Sequence, residues 1–296
     1  MLYAACDVQL EPSRLIVVFA AACGGASQYP PAATGKLSVL TLNVELDGRD
    51  KLPELAALIK RTDADLVFLQ ECAAEKCGAV LAKMLDRQYV QQGDDTATLS
   101  RWPIDRDGRV AVPGGPSVRV SNLHLFYKPY QPYQLLHIPY EDGKFVSTEA
   151  EAIAEARAAR GKEAEAAVAA LAGDKVVIAG GDFNEPSHLD WTAATAAAKR
   201  HPMAVAWPST KTFADAGYVD AYRALHPDPL AKPGFTWTPT TSPDDPKDHH
   251  DRIDFLLVRG LKPVDVKIVG ENEANAEIVV APYPTDHRGV LATFAF

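Results

Sequence analysis

Six apolar segments of this chain each carry polar functional groups at one end. Leu37–Leu42 runs into Asn43, Asp65–Gln70 into Glu71, and Ser117–Leu123 into His124. Lys175–Ala179 passes through Gly180 and Gly181 into Asp182 and Asn184. Ile253–Val258 carries Asp254 near its start, and Gly289–Phe296 is preceded by Asp286 and His287. Carboxylates bind hard cations or orient a water, amides and imidazoles donate to anionic oxygens, and an imidazole moves protons near neutral pH. Such a set could hold a cation, orient a water and bind a developing negative oxygen in one assembled site. A hydrogen-bonded strand end or an Asx turn explains any one of these residues, but explains the set poorly.

The segments that carry these groups are short, apolar and rich in β-branched residues, so they read as strands. If the last two run antiparallel to the first four, all the groups fall along one edge of the sheets. The glycine pair lets the backbone turn sharply or approach a ligand closely. Lys51–Thr62 places Leu52, Leu55, Ala56, Leu58 and Ile59 at helical spacing, with Asp50 as N-cap. Ala73–Leu85, Thr148–Ala172 with Thr148 as cap, and Leu189–Arg200 are further helices. Strands and helices interleave at the start, and the end is mostly β. The expected fold class is α/β, a two-sheet sandwich of mixed, mostly antiparallel strands with helices outside. Neither a Gly-rich dinucleotide loop nor a Walker lysine is present.

Phe126–Val146 has little periodicity and holds Tyr127, Lys128, Tyr130, Tyr133, His137 and Tyr140. Directly after His124, a loop of this length is expected to wall the site on the substrate side. Trp237 is expected either to stack on substrate or to pack in the core. Asp244–Asp251 holds aspartates and the adjacent His249 and His250, but adjacent residues in an extended loop point apart, so it reads as a solvated loop.

Taken in order, Leu40-Thr41-Leu42-Asn43-Val44, Gln70-Glu71, Leu99–Ile104, Asn122-Leu123-His124-Leu125, Gly181-Asp182-Phe183-Asn184, Arg252-Ile253-Asp254-Phe255 and Thr285-Asp286-His287 resemble the endonuclease/exonuclease/phosphatase superfamily. This is the DNase-I-like fold, and the resemblance spans residues 36–296. The segment Gly181–Thr192 is similar to a branch seen in secreted bacterial and fungal proteins. The resemblance implies a four-layer α/β/β/α sandwich and a divalent-metal-dependent phosphoester hydrolase. Glu71 would be the principal ligand of Mg²⁺ or Mn²⁺, as one or two ions, with Asn43 and Asp286 nearby. His287 would be a general base or a phosphate-binding imidazolium, oriented by Asp254. Asp182 would align or deprotonate the water, and Asn184 and His124 would bind non-bridging oxygens. Tyr130, Tyr133, His188 and Trp191 are the candidates for substrate contact.

The chain has 296 residues and a formal net charge of −9, which does not favour diffuse binding to nucleic acid. A small phosphoester is the expected substrate and a monomer the expected state. A secreted nuclease of the same superfamily and a non-catalytic binding lipoprotein on the same fold are the alternatives. Residues 1–35 are expected to be a leader and tether outside the catalytic domain of residues 36–296. Leu15–Ala22 is an apolar run of signal-peptide length flanked by Arg14, and Cys23 follows as in a lipoprotein lipobox. Export to the periplasm or exterior follows, with membrane contact only through a lipid on Cys23. Cys72 and Cys77 read as a small disulfide or as buried thiols.

Overall fold

The computed structural model describes residues 35–141 and 143–296. The expected leader and Cys23 lie outside the described residues. Among the described residues, twelve strands form two sheets. They are β1 Lys36–Asn43, β2 Leu66–Gln70, β3 Gln88–Gln91, β4 Ala97–Ser100, β5 Arg109–Ala111, β6 Ser117–His124, β7 Val177–Asp182, β8 Val219–Asp220, β9 Asp254–Arg259, β10 Lys262–Gly270, β11 Ile278–Val279 and β12 Gly289–Ala295. The seven-stranded sheet has the order β11-β10-β12-β1-β2-β4-β3, and the five-stranded sheet β5-β6-β7-β9-β8. β1 is parallel to β2 and β6 to β7, whereas β12 and β9 run antiparallel to β1 and β7. The orientation expected of the last two functional strands is therefore the one found.

Helices α1 Leu52–Thr62 and α2 Ala79–Leu85 cover the larger sheet. Among α3 Gln131–Leu136, α4 Glu149–Ala156, α5 Lys162–Ala170, α6 Ala193–Ala197, α7 Pro208–Asp215 and α8 Ala221–Leu225, α5 and α7 cover the smaller sheet. The result is the four-layer sandwich, with period-two alternation sorting the central strands. Leu40 and Leu42 of β1 and Val67 and Leu69 of β2 pack under α1 and α2. Val177 and Ala179 of β7 and Phe255 and Leu257 of β9 pack under the other helical layer. The intervening residues face the seam between the sheets. There Gln70 Nε2 donates to Asn122 Oδ1 at 2.6 Å, and Asn122 Nδ2 donates to the carbonyls of Leu69 and Ala97, both at 3.0 Å. These bonds cross from one sheet to the other and fix their relative placement.

Several boundaries depart from expectation. The expected helix Thr148–Ala172 starts with a Thr148/Glu151 capping box and runs through to Ala170, widening to a π-helical turn at Arg157–Gly161. Only Ala193–Ala197 of the expected helix 189–200 is helical. Asp50 does not cap α1, which the chain enters at Lys51 without a side-chain cap. Gly180 and Gly181 serve strand approach: a Cβ on Gly180 would meet the Phe255 carbonyl at 2.5 Å, and one on Gly181, at φ 135°, would collide with Leu123. Cys72 and Cys77 are joined in a disulfide.

Candidate active site

The register of the smaller sheet brings three functional residues into one row. His124 stands opposite Asp182, and Asp182 opposite Asp254. All three are seam-facing by the alternation that sends Leu123 and Phe255 to the helices. Asn43, at the end of β1 in the other sheet, reaches across the seam, and its Nδ2 donates to Asp182 Oδ2 at 3.0 Å. The site is thus assembled from both sheets.

Asp182 Oδ2 is its hub. His124 Nε2 and His287 Nε2 each lie 3.8 Å from it. Each imidazole is anchored through its other nitrogen, His287 Nδ1 to Asp254 Oδ2 at 3.0 Å and His124 Nδ1 to Asp95 Oδ2 at 2.5 Å. Burial pulls His124 down, but the Asp95 hydrogen bond and the Asp182 charge outweigh it and raise the group to about 9. Burial opposes charge on His287 too, and Asp254 and Asp182 overcome it, raising the group to about 10. Two protonated imidazoles therefore flank one buried carboxylate at neutral pH. The other Asp182 oxygen accepts the Asn184 backbone N–H at 2.8 Å.

Glu71 ends β2 in the left-handed region, at φ 52°, which turns its carboxylate out of the strand. Its oxygens accept from Asn43 Nδ2 at 3.1 Å and from the Leu46 N–H at 2.8 Å. Burial, then Asp286 and, less strongly, Glu71 push the Glu45 carboxyl up, so three acids crowd one end of the site. Glu71 and Asp286 both line the cavity described below, and their carboxylate oxygens are of the kind a hard dication takes. Asp182, Asp254 and His287 form a group whose donor atoms lie within 4.8 Å of one another.

A cavity of about 580 Å³ opens over these groups. Glu71, His124, Asp182, Asn184, Asp286 and His287 line it, with Tyr127, Tyr130, Tyr140 and Trp237 as an aromatic wall. Among the described residues, no lysine or arginine lines it.

Some expected site residues are placed differently. Asn43 turns its nitrogen to the carboxylates and its oxygen to the Glu45 N–H at 3.0 Å. Asn184 Nδ2 donates to the Leu125 carbonyl at 3.0 Å and so holds the loop after β6. Tyr133 is not in the cavity lining; it packs on Tyr130 and bonds Asp248. His188 bonds Thr210 in a separate cavity, and Trp191 is fully buried with its Nε1 on Asp251 at 2.8 Å. These three are not substrate contacts here, because tertiary packing directs them away from the edge where the strands end. The 244–251 segment is not simply solvated, since His250 and Asp251 are buried. Asp95 and Glu45 were not expected. Asp95 follows Gly93-Asp94 in a stretch that reads as an ordinary turn, and only the fold brings it under His124.

This fold and site define a hydrolase of phosphoester bonds. The chain belongs to the endonuclease/exonuclease/phosphatase family, which residues 40–287 match. Enzymes of this family generally use divalent metal ions. An uncharacterized protein of Caenorhabditis elegans is 26% identical over 318 residues, covering 95% of this chain and 98% of its own. An AP endonuclease from Archaeoglobus fulgidus shares the fold with a TM-score of 0.56 at 16% identity, over 87% of this chain and 99% of that one. Danio rerio (D. rerio) TDP2 complexed with single strand DNA product does so with a TM-score of 0.52 at 17% identity, over 88% and 99%.

Proposed function

We propose that this protein is a divalent-metal-dependent hydrolase of a small extracytoplasmic phosphoester, acting by in-line attack of water. The observation that carries the reading is the placement of two imidazole Nε2 atoms, each 3.8 Å from Asp182 Oδ2, around one carboxylate at the cavity floor. Glu71 and Asp286 would hold Mg²⁺ or Mn²⁺, and such an ion supplies charge neutralisation at the phosphoryl group. Asp182 aligns the water and accepts its proton. Asn43 and the Asn184 N–H keep that carboxylate in place. His124 and His287 donate from Nε2 to phosphoryl oxygens, since each already gives its Nδ1 side to a carboxylate. Of the two roles open to His287, the imidazolium is the one adopted here, because carboxylates face both of its nitrogens.

Cavity size and the lack of basic lining residues support a small substrate over a polyanion tracked by its backbone. The aromatic wall favours an organic group beside the phosphate, and it also supports a nuclease as the second reading, since bases stack on such rings. The D. rerio TDP2 complex with single strand DNA product adds to that reading. The Cys72–Cys77 disulfide supports the extracytoplasmic assignment.

The test is hydrolysis of a panel of phosphomonoesters, small diesters, single-stranded DNA and plasmid, each with Mg²⁺, Mn²⁺ or Ca²⁺. Turnover of small esters is expected to exceed that of DNA, to vanish in EDTA, and to fall in Glu71→Gln with partial rescue by excess metal. Greater activity on DNA selects the nuclease. Full activity in EDTA sinks the metal-dependent reading.

A further inference from the structure

Behind the aromatic wall, outside the cavity, three metal-ligating side chains converge. His249 and Asp251 are two apart in the loop before β9 and share a face, and His201 meets them from the segment after α6. His201 Nδ1 lies 3.0 Å from His249 Nε2, and His249 Nε2 lies 3.9 Å from Asp251 Oδ1. All three donor atoms lie within 4.8 Å of one another. A tetrahedral Zn²⁺ with bonds of roughly 2.0–2.2 Å needs donors about 3.3 Å apart, which falls between the two separations.

The surroundings of Asp251 are those of a ligand. Trp191 Nε1 donates to its Oδ1 and the Tyr130 hydroxyl to its Oδ2, both at 2.8 Å. Outer hydrogen bonds of this kind orient metal-binding groups. His201 is held flat against Trp191, with ring centroids 4.2 Å apart. Charge points the same way. Asp251 is buried, and the adjacent Arg252 does not neutralise it, because that guanidinium bonds Asp190 and Asp220. A buried carboxylate whose basic neighbour is only the His249 imidazole, 3.9 Å away, is costly to hold as an anion, and a bound cation would lower that cost.

We propose that His201, His249 and Asp251 form a second metal site that takes a transition-metal dication such as Zn²⁺, with water completing the tetrahedron. Two imidazoles and a carboxylate suit such an ion better than Mg²⁺. Its place in the fold assigns it a bracing role. Asp251 holds the Tyr130 hydroxyl, and its backbone exchanges hydrogen bonds with Trp237 at 3.0 and 3.1 Å. Both aromatics line the catalytic cavity.

The test is a Co²⁺ titration of the full chain, first stripped by chelator and then kept in excess Mg²⁺, read by visible ligand-field absorption. Zn²⁺ retained after dialysis is measured in parallel. One equivalent with a tetrahedral spectrum is expected in the wild type and in His287→Ala, which dismantles the catalytic carboxylate–imidazole group. Affinity is expected to fall about tenfold or more in Asp251→Asn and in His249→Ala. The His249 side chain is 15% exposed, so its removal is the gentler change, and near-UV circular dichroism verifies the fold. His249→Gln replaces it if the alanine variant misfolds. Absence of the tetrahedral spectrum, binding undiminished in the His249 variant, or binding lost in His287→Ala would each overturn the proposal.

Discussion

Asp254 makes no cavity-facing contact of its own; its Oδ2 meets His287 Nδ1 at 3.0 Å and the residue is fully buried. Through that bond it fixes the orientation and charge of the imidazole, so the two should act as a unit. His287→Ala is expected to lower kcat about 10²–10³-fold, the scale for loss of a donor to a developing anionic oxygen, and Asp254→Asn somewhat less. The double variant should be little worse than His287→Ala, because groups that serve one step are non-additive. Losses that multiply would separate the two residues. His124 gives a pH signature. Its folded value, about 9, lies above the ordinary 6.5, so the fold favours the cation. The cation persists through neutral pH and is lost as pH rises through about 9, and binding of an anionic substrate should weaken over that window. KM measured against pH should rise through about 9 in the wild type, whereas in His124→Asn only the later rise of His287 through about 10 should remain. Most of these residues were legible because each ends a strand of plain apolar pattern. Asp95 was not, since nothing local distinguishes it from a turn aspartate. Nor was the Asn43 amide orientation, which depends on Glu71 and Asp182 arriving from elsewhere.

At the scale of elements, a buried arginine braces the wall after β6 from behind. Arg160, in the wide turn between α4 and α5, donates from Nε to the Phe126 carbonyl at 3.0 Å and from Nη2 to the Pro129 carbonyl at 2.9 Å. Its Nη1 meets Gln131 at 2.5 Å and Glu185 at 3.3 Å, and the pair with Glu185 is wholly buried. Arg160→Met is expected to destabilise by about 3–5 kcal/mol, because it leaves the Glu185 carboxylate buried without its partner. Denaturant unfolding measures that loss. KM should rise more than kcat falls, since Tyr130 lies in the segment Arg160 anchors while the strand-end groups stay put. Equal stability of the two proteins would refute the anchoring role. The strands could be read from alternation and the capping box from Thr148-x-x-Glu151. The π-helical widening at Arg157–Gly161 could not, because an alanine-rich helical pattern continues through it and the loop its Arg160 reaches lies more than twenty residues away in sequence. β10 escaped the reading for a related reason: Lys262, Asp265 and Lys267 interrupt its apolar run.

At the scale of the whole molecule, the family and layer order were legible because the motifs occur in sequence order and sit at the ends of ordinary strands. Cellular placement rests on residues 1–34 and is tested directly. The mature chain is expected to associate with membranes through Cys23, and Cys23→Ser should release it as soluble or unprocessed protein. Mass spectrometry that finds an intact, unmodified Met1 terminus would refute export. The four tryptophans have a spectroscopic consequence. Trp102, Trp191 and Trp207 are at most 1% exposed, whereas Trp237 borders the cavity with its ring 6.4 Å from that of His287. An imidazolium so close quenches indole emission, and an anion inserted between the rings would change that quenching. The protein therefore carries a built-in optical probe of occupancy. Inorganic phosphate should alter the emission in a saturable way, and Trp237→Phe should abolish the response while most of the fluorescence remains. A response that survives in Trp237→Phe would place the reporter elsewhere.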